Sequence, residues 1–301
     1  MRIELKNVSF AYGGYGKRRR KKEASSSVPA VLREIGLTID KGEMLAVAGK
    51  SGSGKSTFTQ LLKGFLSPTE GELLLDRVNP HTAKRPERFD RVGYIFQYPE
   101  HQLFAATVFE DIAFGLQHAG LTPEAKEVKV RAAMTAVGLD YDAFASRSPF
   151  ELSGGEKRRV AIAGVIVLEP DVLILDEPTA GLDLPSRQAL FELLHRLNRE
   201  NGMAILWVSH QLDEILEHAS RLIALKDGRF LADGHPARLL SDPQLLADFG
   251  WEEPPALAVR RMLGSASTGA SVLSGRHESV EETAQRIARR YAERSHPVYL
   301  S

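Results

Sequence analysis

A chain of 301 residues with 43% hydrophobic and 26% charged side chains has an ordinary globular composition, which excludes a wholly disordered protein. Its 39 basic and 39 acidic side chains leave no net charge to draw it to nucleic acid or lipid, and no nucleic-acid partner is expected. There is no cysteine, so disulfides, thiolate metal sites and cysteine nucleophiles are excluded. The longest apolar run, nine residues from Val160 to Leu168, is about half of what a membrane-spanning helix needs. The first dozen residues also lack the apolar core of an export signal. These features predict a soluble, intracellular protein that meets any membrane through a partner.

In chain order, Arg2 to Phe10 alternates imperfectly between apolar Ile3, Leu5, Val8 and Phe10 and polar residues, which predicts a half-buried strand. A glycine break follows, then a basic and serine-rich insertion at 17–27 that cannot bury a core. Strands are expected at Val31–Ile39 and Met44–Ala48, and a helix from Lys55 to about Phe65. Further strands are expected at Glu72–Leu75 and Val92–Phe96. A helical pattern runs from Thr107 to Val137, broken at Thr122-Pro123, where proline suits the first turn of a new helix. Ser153 and Glu156 stand at capping-box spacing before a helix reaching Leu168. Val172–Leu175, a helix from about Pro185 to Arg199 and a strand at Ala204–Val208 make a βαβ unit, which demands a mostly parallel sheet. After Asp242 the character changes: Glu252–Pro255 and Gly264–Gly275 look like linkers, and a second capping box opens a helix near 279–294.

Two elements carry chemistry. Gly49, Lys50, Ser51, Gly52, Ser53, Gly54, Lys55 and Ser56 match the phosphate-loop pattern G-x-x-x-x-G-K-[ST] between a strand and a helix that continues with Thr57. Its glycines let backbone N–H groups turn inward on phosphates, and the helix N-terminus adds its dipole. Lys55 is expected to reach the β- and γ-phosphates of ATP, and Ser56 to ligate Mg2+. Asp176 and Glu177 then end a buried strand, where an open α/β sheet puts its ligands. Asp176 is expected to hold Mg2+ through water, and Glu177 to polarise the attacking water as general base.

Leu152, Ser153, Gly154, Gly155 and Glu156 go beyond a generic phosphate-loop protein. They resemble the signature of ATP-binding cassette (ABC) ATPases, with glutamate in place of the usual glutamine. Over residues 1–241 that resemblance implies an α/β fold with a mostly parallel core sheet, an antiparallel β subdomain and a helical subdomain at about 97–168. Residues 242–301 would form a C-terminal helical extension. It further implies that Tyr12 stacks on adenine, with Tyr15 as a rival. Gln97 would touch Mg2+ and couple the site to a membrane partner. Asp183, in Ala180–Asp183, would cross a dimer interface, and His210 would sense the γ-phosphate.

Around Gln97, the stretch Phe96–Phe104 and the residues Asp111–Gly115 are similar to the ATPases of energy-coupling factor transporters. The Tyr98-Pro99-Glu100-His101 form resembles the second of two paralogous subunits in vitamin systems. The family then implies a second ATPase subunit packed head to tail, a transmembrane coupling protein and a substrate-binding membrane protein. It also implies a place at the cytoplasmic face of the cell membrane, with Glu100 as counter-charge for a basic coupling helix. A cobalt or nickel importer remains an alternative, and a soluble ABC ATPase of DNA repair or translation a more distant one. Whether the second ATPase is a paralogue or another copy stays open. So do the roles of the insertion, as surface loop or headgroup contact, and of the terminal helix, as subunit contact or packed tail.

Overall fold

The computed structural model describes residues 1–13, 29–84 and 86–265. The insertion 17–27, Tyr15 and the helix expected near 279–294 lie outside the described residues. The strands are β1 (Ile3–Phe10), β2 (Leu32–Ile39), β3 (Met44–Ala48), β4 (Glu70–Leu75), β5 (Val92–Ile95), β6 (Val172–Asp176), β7 (Ala204–Val208), β8 (Arg221–Lys226) and β9 (Arg229–Gly234). The first helices are α1 (Lys55–Lys63), α2 (Val108–Ala113), α3 (Pro123–Ala136), α4 (Tyr141–Phe144) and α5 (Gly154–Ile166). The rest are α6 (Leu184–Asn201), α7 (Leu212–His218), α8 (Pro236–Leu239), α9 (Pro243–Phe249) and α10 (Pro255–Ser265).

Two sheets organise these elements. A six-stranded sheet runs β5-β6-β7-β3-β8-β9, parallel throughout except for β9 at its edge, and a three-stranded antiparallel sheet runs β2-β1-β4. All five residues of β3 and of β7 are buried, the continuous apolar run of a strand covered on both faces. Alternate residues serve two different cores. Met44, Ala46 and Ala48 join Leu173, Trp207 and the residues of α2, α3 and α5 on one face. Leu45 and Val47 join Ile174, Leu206, Phe58 and the antiparallel sheet on the other.

The imperfect alternation in β1 has a structural cause. Ile3 and Leu5 face inward, then Val8 and Phe10 do, and the register shifts between the two pairs. Asn7, at φ 49°, supplies the extra residue, a bulge that moves the inward phase from odd to even positions. Opposite it, a Cβ on Gly71 would lie 2.3 Å from the Asn7 carbonyl oxygen, so only glycine fits.

Several boundaries differ from the sequence reading. Helix α1 stops at Lys63 because Gly64 turns left-handed at φ 83° and caps it, leaving Phe65 outside. Strand β4 starts earlier, at Glu70, and β5 ends at Ile95. The long helical pattern is broken twice, by the 3-10 turn Phe114–Leu116 and by the entry to α3, where Thr122 caps and Pro123 opens the helix. Strands β8 and β9 were not foreseen. Beyond Asp242, Leu245, Phe249 and Leu257 are buried in the same cluster as Leu239 and Leu240. Pro254, within the expected linker, is buried too, and α10 begins at Pro255.

Candidate active site

The phosphate-loop residues lie between the end of β3 and the start of α1. Gly54 at φ 106° and Gly52 at φ 77° take backbone conformations that other residues rarely adopt. A Cβ on Gly49 would sit 2.2 Å from the Leu225 carbonyl, so the loop is pressed against β8. The β8–β9 turn supports it from the same side, with the Gly228 N–H donating to the Ser53 carbonyl at 3.1 Å. Lys55 Nζ donates to the carbonyls of Gly49 at 2.8 Å and Lys50 at 3.0 Å, which folds its ammonium over the loop. Burial lowers the Lys55 pKa below the usual lysine range, opposed by the Glu177 and Asp176 carboxylates. Tyr12 stands beside α1, its hydroxyl 3.1 Å from Thr57 Oγ1 and its half-exposed ring edge-on to Phe10 at 4.9 Å.

At the C-terminal end of β6, Asp176 faces this loop. Burial and the adjoining Glu177 raise the Asp176 pKa above the usual carboxylate range, while Tyr94, Lys55 and Ser56 pull it back. The Tyr94 hydroxyl approaches Asp176 Oδ2 at 3.5 Å and Thr59 Oγ1 at 3.1 Å, and burial pushes its own pKa up to about 12. Glu177 takes a left-handed backbone, φ 45°, while its N–H donates to the Val208 carbonyl at 3.1 Å. That conformation is costly for a non-glycine residue. Gln97 Nε2 donates to Glu177 Oε2 at 3.2 Å, and His210 Nδ1 lies 3.7 Å from Glu177 Oε1. Gln97, Asp176, Glu177 and His210 thus gather at one edge of the sheet, from the ends of β5, β6 and β7.

The signature residues open α5 rather than joining that edge. Ser153 is the N-cap, and the capping box is realised: Ser153 N–H donates to Glu156 Oε2 at 2.8 Å and Glu156 N–H to Ser153 Oγ at 3.4 Å. A Cβ on Gly154 or Gly155 would meet nothing within 4 Å, so that helix end is open to an incoming group. Leu152 is buried behind it. Asp183 caps α6 through the Ser186 N–H at 3.0 Å.

Glu100 differs from expectation. Its carboxylate does not await a basic partner: Arg158 of α5 holds both oxygens, Nε to Oε2 at 3.1 Å and Nη2 to Oε1 at 3.0 Å. Burial alone would raise the Glu100 pKa, and Arg158 together with a backbone hydrogen bond and His101 outweighs it, holding it below the usual range. The same guanidinium donates to the carbonyls of Pro178 at 3.0 Å and Ala180 at 3.5 Å. A second cluster grips that loop from the far side. Glu214 accepts from Thr179 Oγ1 at 3.0 Å and Ser209 Oγ at 3.4 Å, and Arg187 Nε donates to the Leu182 carbonyl at 2.9 Å. Arg158 opens the run Arg158–Gly164, which fits the energy-coupling factor pattern, but its partners and those of Glu214 and Arg187 carry no local signal, since several lie 20 to 58 residues away.

The family model described as ABC transporter matches residues 32–180. The energy-coupling factor transporter ATP-binding protein EcfA2 of Clostridium perfringens is 43% identical over 234 residues, 77% of this chain and 82% of that protein. EcfA2 of Latilactobacillus sakei is 45% identical over 252 residues, 82% of each. Among solved structures, cbiO1 from Clostridium perfringens, part of the ABC transporter complex cbiONQ, is similar with a TM-score of 0.71 at 29% identity, covering 86% of this chain and 98% of that one. The ADP- and Pi-bound dimer of the ATP-binding cassette MJ0796 gives 0.64 at 28% identity, over 78% and 98%. The mixed parallel core sheet, antiparallel sheet and signature helix are those of such cassettes, as the resemblance implied. The chain belongs to the ATP-binding proteins of energy-coupling factor transporters, a branch of the ABC transporter ATPases.

Proposed function

We propose that the chain is the ATP-hydrolysing subunit of an energy-coupling factor importer, working at the cytoplasmic face of the cell membrane and driving uptake of a vitamin or similar micronutrient. One observation carries the reading: the phosphate loop, Asp176, Glu177, Gln97 and His210 meet at one sheet edge, while Ser153, Gly154 and Gly155 open a helix elsewhere. No described helix is long and apolar enough to cross a membrane, which is consistent with separate membrane subunits.

The loop N–H groups and Lys55 bind the phosphates, and Tyr12 takes the adenine on its exposed ring face. Ser56, Asp176 and Gln97 are hard oxygen donors of the kind Mg2+ accepts, and two adjoining carboxylates in a partly buried site favour a cation. Bound there, Mg2+ supplies charge to offset the phosphates. Glu177 polarises the attacking water, and Gln97 and His210, one beside each of its oxygens, orient the carboxylate. Ser153, Gly154 and Gly155 clamp the γ-phosphate held by a second ATPase subunit packed head to tail, with Asp183 at the interface. Closing the dimer therefore depends on ATP, and hydrolysis removes the shared ligand.

The transmembrane coupling protein docks beside Gln97. Phe104 and Phe114, 59% and 50% exposed and edge-on at 4.8 Å, give that neighbourhood an apolar surface for it. Tagging the chain, solubilising membranes gently and identifying what copurifies tests the reading. A sibling ATPase, one polytopic membrane protein and a small substrate-binding membrane protein are expected, and the last identifies the cargo. Recovery only from the soluble fraction, with ribosomes or nucleic acid, overturns it.

A further inference from the structure

Arg158 is 6% exposed, and its side-chain partners come from two separate segments of the chain. It rises from the signature helix α5, grips Glu100 with two nitrogens and reaches the carbonyls of Pro178 and Ala180. Glu100 follows Gln97 by three residues, and Pro178 directly follows Glu177. The two residues that make the Gln97–Glu177 hydrogen bond are therefore each anchored, a few bonds away, to one planar cation.

A guanidinium can do this and an ammonium cannot. Its donors lie in a fixed plane, so a bidentate carboxylate on one side sets where the carbonyls on the other must sit. With the charge paired and the site nearly dry, loss of the arginine leaves two buried carbonyls and a half-buried carboxylate without their donor.

We propose that Arg158 is a positioning residue for ATP hydrolysis: it fastens the loop after Glu177 to the Glu100 turn, and so sets the Gln97–Glu177 geometry. This rests on the reading of Glu177 as general base. The Arg158 side chain bonds Glu100, Pro178 and Ala180 and none of the phosphate-loop residues or Tyr12, so its loss should act on turnover and leave nucleotide affinity alone.

The test measures ATP hydrolysis by the full-length chain, copurified with its partner subunits, for Arg158→Gln, Arg158→Lys and Glu100→Gln, beside thermal unfolding of each. Arg158→Gln and Arg158→Lys should both lower kcat about tenfold or more, with KM for ATP within about twofold of wild type. Glu100→Gln should lose less, and the Arg158→Gln, Glu100→Gln double variant should lose no more than Arg158→Gln alone. Lysine keeps the charge and cannot serve all four acceptors, so its failure to rescue separates geometry from electrostatics. The proposal is overturned if folded Arg158→Lys keeps wild-type kcat, or if KM rises in step with the loss. If Arg158→Gln does not fold, Arg158→Lys and Glu100→Gln still decide. If wild-type turnover survives Glu177→Gln, the general-base reading has failed and the proposal goes with it. Turnover that depends on Glu177 and ignores Arg158 overturns the proposal alone.

Discussion

Gln97 Nε2 and Glu177 Oε2 stand 3.2 Å apart, joining a segment that leaves β5 for the protein surface to the carboxylate that follows β6. An amide that donates to one carboxylate oxygen holds the side chain in one rotamer and leaves the other oxygen facing His210. Displacing the Gln97 segment necessarily changes how Glu177 is held. The surface segment and the carboxylate proposed as base thus share one hydrogen bond.

Glu177→Gln should bind ATP as wild type does and lose at least about a hundredfold in kcat, because an amide does not accept the water's proton. Size-exclusion chromatography with ATP should find it held in the closed dimer. Lys55→Ala should instead lose ATP affinity itself, read by isothermal titration calorimetry. A Glu177→Gln variant that turned over normally would remove Glu177 from the role of base.

Tyr12→Ala should weaken ATP binding roughly tenfold, the scale of one base stacked on one aromatic ring. Tyr12→Phe keeps the ring and loses only the hydroxyl contact with Thr57, so its affinity should change by about twofold or less. Equal losses in the two variants would show that the hydroxyl, not the ring, matters.

His218 predicts an acid sensitivity of the fold. Its ring stacks on Phe191 at 3.9 Å, hydrogen-bonds His195 at 3.2 Å, and has a pKa lowered to about 4 by burial and then by His195. Between the ordinary value of 6.5 and about 4 the unfolded chain binds the extra proton, so stability falls as pH drops through that window. The loss is on the order of 2–3 kcal/mol by the lower limit. Urea unfolding of His218→Gln should show a flatter dependence across the same range. An unchanged slope would place the acid sensitivity elsewhere.

The phosphate loop, β3, β7, the capping box of α5 and the parallel sheet were legible because each is encoded locally, by a motif, a run or a spacing. The hairpin of β8 and β9 was missed although its signal is equally local. Asp227-Gly228, at φ 51° and 77°, is the turn dipeptide that such a hairpin favours, flanked by the apolar run Leu222–Leu225. The run Arg158–Gly164 was legible as a subfamily match, but the internal partners of Arg158 were not. Among the charged residues that follow Ser153 on α5, only three-dimensional packing distinguishes the one turned inward. The same packing explains Glu100, whose exposed look in the sequence hid an internal partner 58 residues on.

Leu45 and Ala46 are covalent neighbours that belong to different cores, because consecutive residues of β3 point to opposite faces of the sheet. The six-stranded sheet is therefore a septum, with the antiparallel sheet on one face and α5 on the other. A signal between the halves has to travel around the rim, and the rim at the strands' C-terminal ends is where Lys55, Asp176, Glu177 and His210 stand. The candidate site therefore stands where the two faces of the septum meet.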